Sequence, residues 1–307
     1  MHKVFIDGSA GTTGLRIYER LAPRRDIELI TLPEELRKDT DARREALNAS
    51  DIAFLCLPDA AAIEAVTLAY NKNTVIIDTS TAHRTNPEWE YGFAELSGRR
   101  NRIAASKRIA NPGCHASGFV ALVEPLVREG IIAKDALLTC FSLTGYSGGG
   151  KKMIADYEAP DRVAALDSPA MYGIAQKHKH LPEMIAVCGL DNLPVFSPIV
   201  APFYSGMQVT VPLFSKQIKG TAEDIKALYK DYYKEGLVKF EDNADEGGFL
   251  YSNGFSGRDD MQITVCGTDE RILLVSRFDN LGKGASGSAI QNMNIIMGVP
   301  EDTGLDV

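Results

Sequence analysis

Residues 3–21 read K-V-F-I-D-G-S-A-G-T-T-G-L-R-I-Y-E-R-L. Residues 3–7 form a short β-branched and aromatic run, while Leu15, Ile17, Tyr18 and Leu21 repeat at helical spacing. The stretch therefore predicts strand, glycine loop, helix. The loop holds Gly8, Ser9, Ala10, Gly11, Thr12, Thr13 and Gly14. Glycines at such a junction let backbone amides approach a pyrophosphate, which then sits at the positive end of the helix. The spacing G-x-x-G-x-x-G is a variant of the dinucleotide fingerprint. A merely structural turn is the competing reading, and the loop's place directly after the first strand favours the nucleotide.

Outward from this loop, residues 27–32 predict a second strand and 34–49 a charged surface helix or irregular connection. Residues 52–57 are apolar almost without a break, as a strand buried on both faces should be. Pro58 and Asp59 stop it, a helix pattern covers 60–70, and 74–78 is the next strand. Strands alternating with helices define the fold class as α/β, a Rossmann-type doubly wound parallel sheet with right-handed crossovers. The second strand ends Thr31-Leu32-Pro33 with no acid to grip a ribose 2′-hydroxyl, and Arg37 and Lys38 follow Glu34 and Glu35. That favours NADP over NAD.

Beyond residue 113 the pattern changes. Residues 137–143, 195–200, 208–214, 261–265 and 272–278 are strands, several alternating with period two, with few helices between them, such as 222–233. An α+β, mostly antiparallel catalytic and dimerisation domain over 114–283 is expected. The helix pattern that begins at Gly284 should return to complete the NADP-binding domain, 1–113 plus 284–307.

The 307 residues suffice for about two domains. A formal net charge of −8 argues against nucleic acid or a membrane surface as partner. Cysteines 56, 114, 140, 188 and 266 lie far apart with no CxxC pair, which suggests neither a disulfide framework nor a zinc site. The amino terminus lacks the apolar core of a signal peptide, so a reducing cytoplasm is the expected location.

The reactive chemistry gathers round Asn111-Pro112-Gly113-Cys114-His115. An amphipathic helix pattern starts at Cys114, where unpaired N–H groups and the positive dipole end favour a thiolate and can hold an oxyanion. A small buried hydrophobe is the alternative reading of the same cysteine. His178-Lys179-His180-Leu181-Pro182-Glu183 offers a base for the thiol, His180 first and His178 second. As a metal pair it lacks the usual further ligands, so no metal is expected. Residues 78–84 (D-T-S-T-A-H-R) lie at the carboxyl end of a parallel strand, where open α/β sheets bind ligands. There Ser80 is a cofactor contact and Arg84 an anion clamp or a solvated arginine. Arg108 and Asn111 are further substrate contacts. Gly148-Gly149-Gly150-Lys151 suggests close backbone approach to a ligand with Lys151 as anion binder, or a flexible surface loop. Asn280 and Gly282, in a glycine-rich turn before the last helix, either help enclose the cofactor or serve a close-packed helix start.

Together these residues resemble the N-acetyl-γ-glutamyl-phosphate reductases in their shorter form, over nearly the whole chain. The motifs are residues 8–14, 78–84, the N-P-G-C of 111–114, the H-K-H-L-P-E of 178–183, and D-N-L-G-K-G-A-S-G-S-A-I-Q-N-M-N of 279–294. Gly113 sides with this family against the related aspartate-semialdehyde dehydrogenases, which usually carry Asn directly before the cysteine. The resemblance implies an NADPH-dependent step of arginine biosynthesis: Cys114 attacks the acyl phosphate of a small-molecule substrate, phosphate leaves, and the thioester is reduced to a semialdehyde. It also implies a homo-oligomer, dimer or tetramer. His83 stands where an aromatic often precedes the arginine. Competing readings are an aspartyl-phosphate or aminoadipyl analogue reductase, a Cys-His hydrolase, which has no use for residues 8–14, and a cofactor-sensing module, which has no use for Cys114.

Overall fold

The computed structural model describes residues 1–307, which form two units: Met1–Gly113 with Ala285–Asp306, and Cys114–Gly284. No helix is long and apolar enough to cross a membrane.

The first unit contains β1 (His2–Asp7), α1 (Thr12–Leu21), β2 (Ile27–Ile30), α2 (Thr40–Ala49), β3 (Ile52–Leu55), α3 (Asp59–Leu68), β4 (Val75–Asp78), β5 (Glu90–Tyr91), α4 (Arg99–Ala105) and β6 (Arg108–Ala110). Its strands run in the order β2-β1-β3-β4-β6-β5, and every pairing is parallel. Such a sheet is covered on both faces, and alternate residues show it. Val4, Ile6, Ile52, Phe54, Val75 and Ile77 pack with Ile17, Leu21 and Ile103 on one face, while Phe5, Ala53, Leu55 and Ile76 meet Ala46, Leu47, Ala62 and Ala65 on the other. The strand order reverses direction between β1 and β3, and the carboxyl ends there frame the crevice in which this architecture binds ligands.

The second unit contains α5 (Cys114–Arg128), β7 (Thr139–Gly145), α6 (Gly150–Glu158), β8 (Ala170–Met171), α7 (Leu181–Cys188), β9 (Val195–Ala201), β10 (Met207–Phe214), α8 (Ala222–Tyr232), β11 (Val238–Phe240), β12 (Met261–Thr268) and β13 (Arg271–Phe278). A π-helical turn, Gly282–Ser286, leads into α9 (Gly287–Met297), which belongs to the first unit and buries Ala289, Ile290 and Met293 in its core. The second sheet is mixed, ordered β11-β12-β13-β10-β7-β9-β8, with β11/β12 and β7/β9 parallel and the remaining four pairings antiparallel. Helices α5 and α8 lie against it. The inward face is fully buried through Val209, Val211, Leu274 and Phe196. The register puts Phe141, Val195, Phe214 and Leu273 on the opposite face, each of them exposed.

Candidate active site

In the first unit the chain leaves β1 at Gly8 in the left-handed region, φ +86°, and a Cβ there would lie 2.3 Å from the Cys56 carbonyl oxygen. Only glycine fits. The Gly11 N–H closes the turn on the Gly8 carbonyl at 2.9 Å. A Cβ on Gly14 would meet that carbonyl oxygen at 2.4 Å, so α1 approaches its own loop as closely as backbone permits. No side chain caps α1 and no acid sits in its first turn, which leaves the helix end as an anion site. Beneath the loop, the buried Asp7 receives Arg43 Nη2 at 3.0 Å. Burial nevertheless holds this carboxyl above its usual range, with Arg43 opposing the shift. Strand β2 carries no acid at its carboxyl end, and Arg37 and Lys38 are exposed beyond it. This donor set fits a dinucleotide with a phosphorylated ribose.

At the end of β4, buried Asp78 organises the next loop. Its carboxylate accepts from the Ser80 N–H at 2.9 Å and the Ser80 hydroxyl at 2.7 Å, and it meets His83 Nδ1 at 2.6 Å. The His83 ring stacks on Trp89 with centroids 4.0 Å apart, so it is a built part of the loop. Arg84 donates from Nε to the Asn111 carbonyl at 3.0 Å and from Nη2 to the Thr79 carbonyl at 2.9 Å. It braces the segment that runs into Cys114.

Cys114 is the first residue of α5 and is partly exposed. An added Cβ on Gly284 would come within 3.0 Å of Cys114 Cβ, so the absence of a side chain there lets the turn pack closely against the cysteine. The next residue, buried His115, faces inward and has its Nδ1 2.7 Å from Ser142 Oγ and its Nε2 2.6 Å from the Tyr172 hydroxyl. The His178 and His180 rings both lie with centroids 5.5 Å from it, and Phe196 at 5.3 Å. Burial, with smaller contributions from the charges of His178 and Lys179, pushes the His115 pKa down to about 3. His178 is also lowered, by burial and then by Lys179. His178 Nδ1 accepts from the His180 backbone N–H at 3.2 Å, which places the proton of the neutral ring on Nε2. A partly exposed thiol, the His115 and His178 imidazoles, both of lowered pKa, and the His180 ring thus belong to one corner of this unit.

Several expected contacts prove to be internal. Arg108 is at the amino end of β6 and donates to the carbonyls of Thr74 and Lys107, at the wrong end of a parallel sheet for a substrate clamp. The Asn111 amide donates to the Ala285 carbonyl at 3.0 Å and accepts from Asn292, so it fastens the loop. Ser80 spends its hydroxyl on Asp78 and the Ala82 N–H. Asn280 bridges the Gly206 N–H and the Ser147 hydroxyl, both at 3.0 Å, and is 2% exposed, while a Cβ on Gly282 would sit 2.0 Å from the Arg258 carbonyl oxygen. Lys151 is exposed in the first turn of α6. His115, Tyr172 and Ser142 were not anticipated. The one signal for His115 was its place beside the cysteine.

A parallel nucleotide-type sheet joined to a mixed-sheet unit that starts on a helix-terminal cysteine defines a semialdehyde dehydrogenase-type protein. The family model described as semialdehyde dehydrogenase, dimerisation domain, matches residues 114–280, and the one described as semialdehyde dehydrogenase, NAD binding domain, matches residues 33–105. Two solved aspartate semialdehyde dehydrogenases share the fold at low identity. The Vibrio cholerae enzyme II, complexed with ASA, superposes with a TM-score of 0.72 at 15% identity over 97% of this chain and 98% of its own. The Francisella tularensis enzyme gives 0.69 at 14% over 97% and 100%. Curated relatives named N-acetyl-gamma-glutamyl-phosphate reductase are 45% identical in Brucella ovis, over 96% of this chain and 99% of the relative, and 43% identical in Trichormus variabilis, over 99% of each. The chain belongs to the N-acetyl-gamma-glutamyl-phosphate reductase family.

Proposed function

We propose that this chain catalyses the NADPH-dependent reductive dephosphorylation of N-acetyl-L-glutamyl 5-phosphate to N-acetyl-L-glutamate 5-semialdehyde, a step of L-arginine biosynthesis, through a thioester on Cys114. The observation that carries the reading is the 43–45% identity over almost the entire chain to reductases of that name. The cysteine at the head of α5 among imidazoles of lowered pKa is the chemistry such a reaction needs.

In this scheme the Cys114 thiolate attacks the acyl carbon, amides at the start of α5 hold the oxyanion, and phosphate departs with the electron pair of the broken C–O bond. NADPH, when bound, supplies the hydride that reduces the thioester. The histidine that took the Cys114 thiol proton gives it to the oxyanion left by the hydride, making the hemithioacetal, then takes it back as the C–S bond breaks, freeing the aldehyde and the Cys114 thiolate. We assign that histidine as His178 ahead of His180, because His178 is partly exposed while His180 is buried. Residues 8–14 would hold the pyrophosphate on their backbone amides. Lys151 is the proposed anion contact, and Arg84 braces the nucleophile's segment.

Residues 1–113 with 284–307 act in this reading as the nucleotide unit and 114–283 as the catalytic unit. The exposed face bearing Phe141, Val195, Phe214 and Leu273 supports self-association of the second unit, as a dimer or a tetramer. Five free cysteines suit a reducing cytoplasm.

The test is steady-state NADP reduction with N-acetylglutamate semialdehyde, with phosphate present and then omitted, beside aspartate semialdehyde. Turnover should require phosphate, prefer the acetylated substrate, and fall to background in Cys114→Ala while NADPH binding persists. Substantial turnover by the Ala variant would refute the covalent scheme, and a higher kcat/KM for aspartate semialdehyde would refute the substrate.

A further inference from the structure

The buried polar residues behind Cys114 have no task in the scheme above. Ser142 on β7 is fully buried, and its hydroxyl oxygen lies 2.7 Å from His115 Nδ1. His115 Nε2 in turn lies 2.6 Å from the hydroxyl of Tyr172, a residue just beyond β8 whose own N–H is anchored on the Pro198 carbonyl at 3.0 Å. Three side chains from three elements thus make one line of two short hydrogen bonds that ends on a partly exposed phenol.

The direction of that line follows from counting protons. His115 is held uncharged by burial, so its ring carries a single N–H. The imidazole is the hydrogen-bond partner of the buried Ser142 hydroxyl. A buried hydroxyl proton needs an acceptor, so Ser142 donates to Nδ1. The ring proton then sits on Nε2 and is donated to the Tyr172 oxygen. With its oxygen already accepting, Tyr172 must send its own proton elsewhere.

We propose that Tyr172 is a further catalytic residue, whose hydroxyl donates a hydrogen bond to the sulfur of Cys114, with His115 and Ser142 as the positioning residues that aim it. The inference rests on the reading of Cys114 as the nucleophile. Two facts support it independently of the proton count. Burial first, and then the negative charge of Cys114, push the Tyr172 hydroxyl above its ordinary range, so the phenol lies within electrostatic reach of the sulfur and stays protonated. His115, which touches the phenol, is also bonded directly to Cys114 in the first turn of α5, so the phenol is held at the same helix end as the thiol. A donor of this kind stabilises the thiolate before attack. It also steadies the sulfur as a leaving group when the hemithioacetal collapses.

The experiment compares alkylation of Cys114 by iodoacetamide at pH 7 and pH 9.5 in the full-length parent, Tyr172→Phe and Ser142→Ala, read by peptide mass spectrometry. Cys56 and Cys140, whose thiols burial pushes up, serve as slow internal references. The other titratable side chains on the segments about the thiol are His115 on α5, His178, Lys179 and His180 ahead of α7, and Asp279 and Lys283 on the turn that packs Gly284 against Cys114. They are the same in Tyr172→Phe and the parent, so that ratio isolates the phenol. Losing one charge-assisted hydrogen bond should raise the thiol pKa by about one unit and slow alkylation at pH 7 about tenfold, with a difference under about twofold at pH 9.5. Ser142→Ala, which frees the ring to turn, should move the same ratio about threefold, a shift that a purely structural serine would not produce. The Phe variant's kcat should fall about tenfold with KM for the semialdehyde within about twofold. Equal alkylation of parent and Tyr172→Phe at pH 7 would overturn the proposal. A parent that is inactive on N-acetylglutamate semialdehyde yet shows the alkylation ratio would refute the substrate and leave the donor standing.

Discussion

His115 carries its environment into the stability of the whole chain. Its pKa is about 3 when folded against an ordinary value near 6.5 in the unfolded chain, and burial is the main cause. Between those limits the unfolded chain binds a proton that the folded chain refuses, so stability falls as pH drops below about 6.5 and nothing is lost above it. The slope from this group approaches about 1.4 kcal/mol per pH unit, and His178, shifted the same way, adds to it. The urea midpoint should therefore hold between pH 8 and 7 and decline from pH 6.5 to 5, before most carboxylates titrate. His115→Gln should flatten that decline, and an unchanged slope in the variant would mean that another group carries it. Residue-level legibility in the sequence divides along the same lines. Cys114 was readable because a helix pattern begins on it, and the glycines at 8, 11 and 14 because a strand and a helix flank them. His115 was not, since Ser142, Tyr172, His178, His180 and Phe196 reach it only through β7, β8, β9 and the segment ahead of α7. The place of Arg108 was not legible either, since the sequence does not tell that it opens β6 and donates to the carbonyls of Thr74 and Lys107.

Helix α5 shows how an element can carry a break and remain whole. Pro125 lies in its interior, where it removes an N–H and leaves the carbonyl four residues back, that of Ala121, without its helical donor. The buried Tyr233, at the end of α8, supplies the replacement: its hydroxyl donates to Ala121 O at 2.6 Å, and Tyr229 donates to the neighbouring Leu122 carbonyl. A single-residue defect in one helix is thereby made the docking point of another. Tyr233→Phe should cost about 1–3 kcal/mol by stranding that carbonyl, measured by chemical denaturation. In the Pro125→Ala background the N–H is restored, the carbonyl regains a helical partner, and the same Tyr233→Phe change should cost clearly less. Equal costs in the two backgrounds would show that the phenol matters only as packing. The apolar repeat over 114–130 announced the helix, but nothing local announced that its proline would be mended from a hundred residues away. Short strands failed for a different reason. Glu90–Tyr91 and Arg108–Ala110 are too brief to show a period of two, and only the sheet edge they extend defines them. The last helix begins at Gly287, later than its glycine-rich pattern suggests, because a π-helical turn occupies 282–286.

At the scale of the molecule the first unit is discontinuous in sequence, and its two pieces need each other. Strands β1, β3 and β4 present Val4, Ile6, Phe54 and Ile77 to a face that α9 helps to cover, burying Ala289, Ile290 and Met293 completely. At about 1.5–3 kcal/mol for each large apolar side chain, Ile290 and Met293 alone contribute roughly 3–6 kcal/mol. That is a large share of the roughly 5–15 kcal/mol that holds a domain together. Polar contacts bind the same pieces: Asn292 donates to the Gly92 carbonyl at 2.9 Å, and Gln291 to Glu95 at 2.8 Å. Residues 1–113 expressed alone should therefore lack a cooperative thermal transition. The Asn111 amide reaches the Ala285 carbonyl at 3.0 Å, so the chain leaves this unit and returns to it at nearly the same point. A short Gly/Ser linker of about six residues, spanning up to roughly 20 Å, is enough to join 113 to 285. The fused chain of 1–113 and 285–307 should unfold cooperatively by circular dichroism and bind NADP in a fluorescence titration. If the fusion melts no more cooperatively than 1–113 alone, the contacts made by α9 are insufficient and the first unit depends on the second for its stability. If it folds but ignores NADP, the glycine loop after β1 is a structural turn after all.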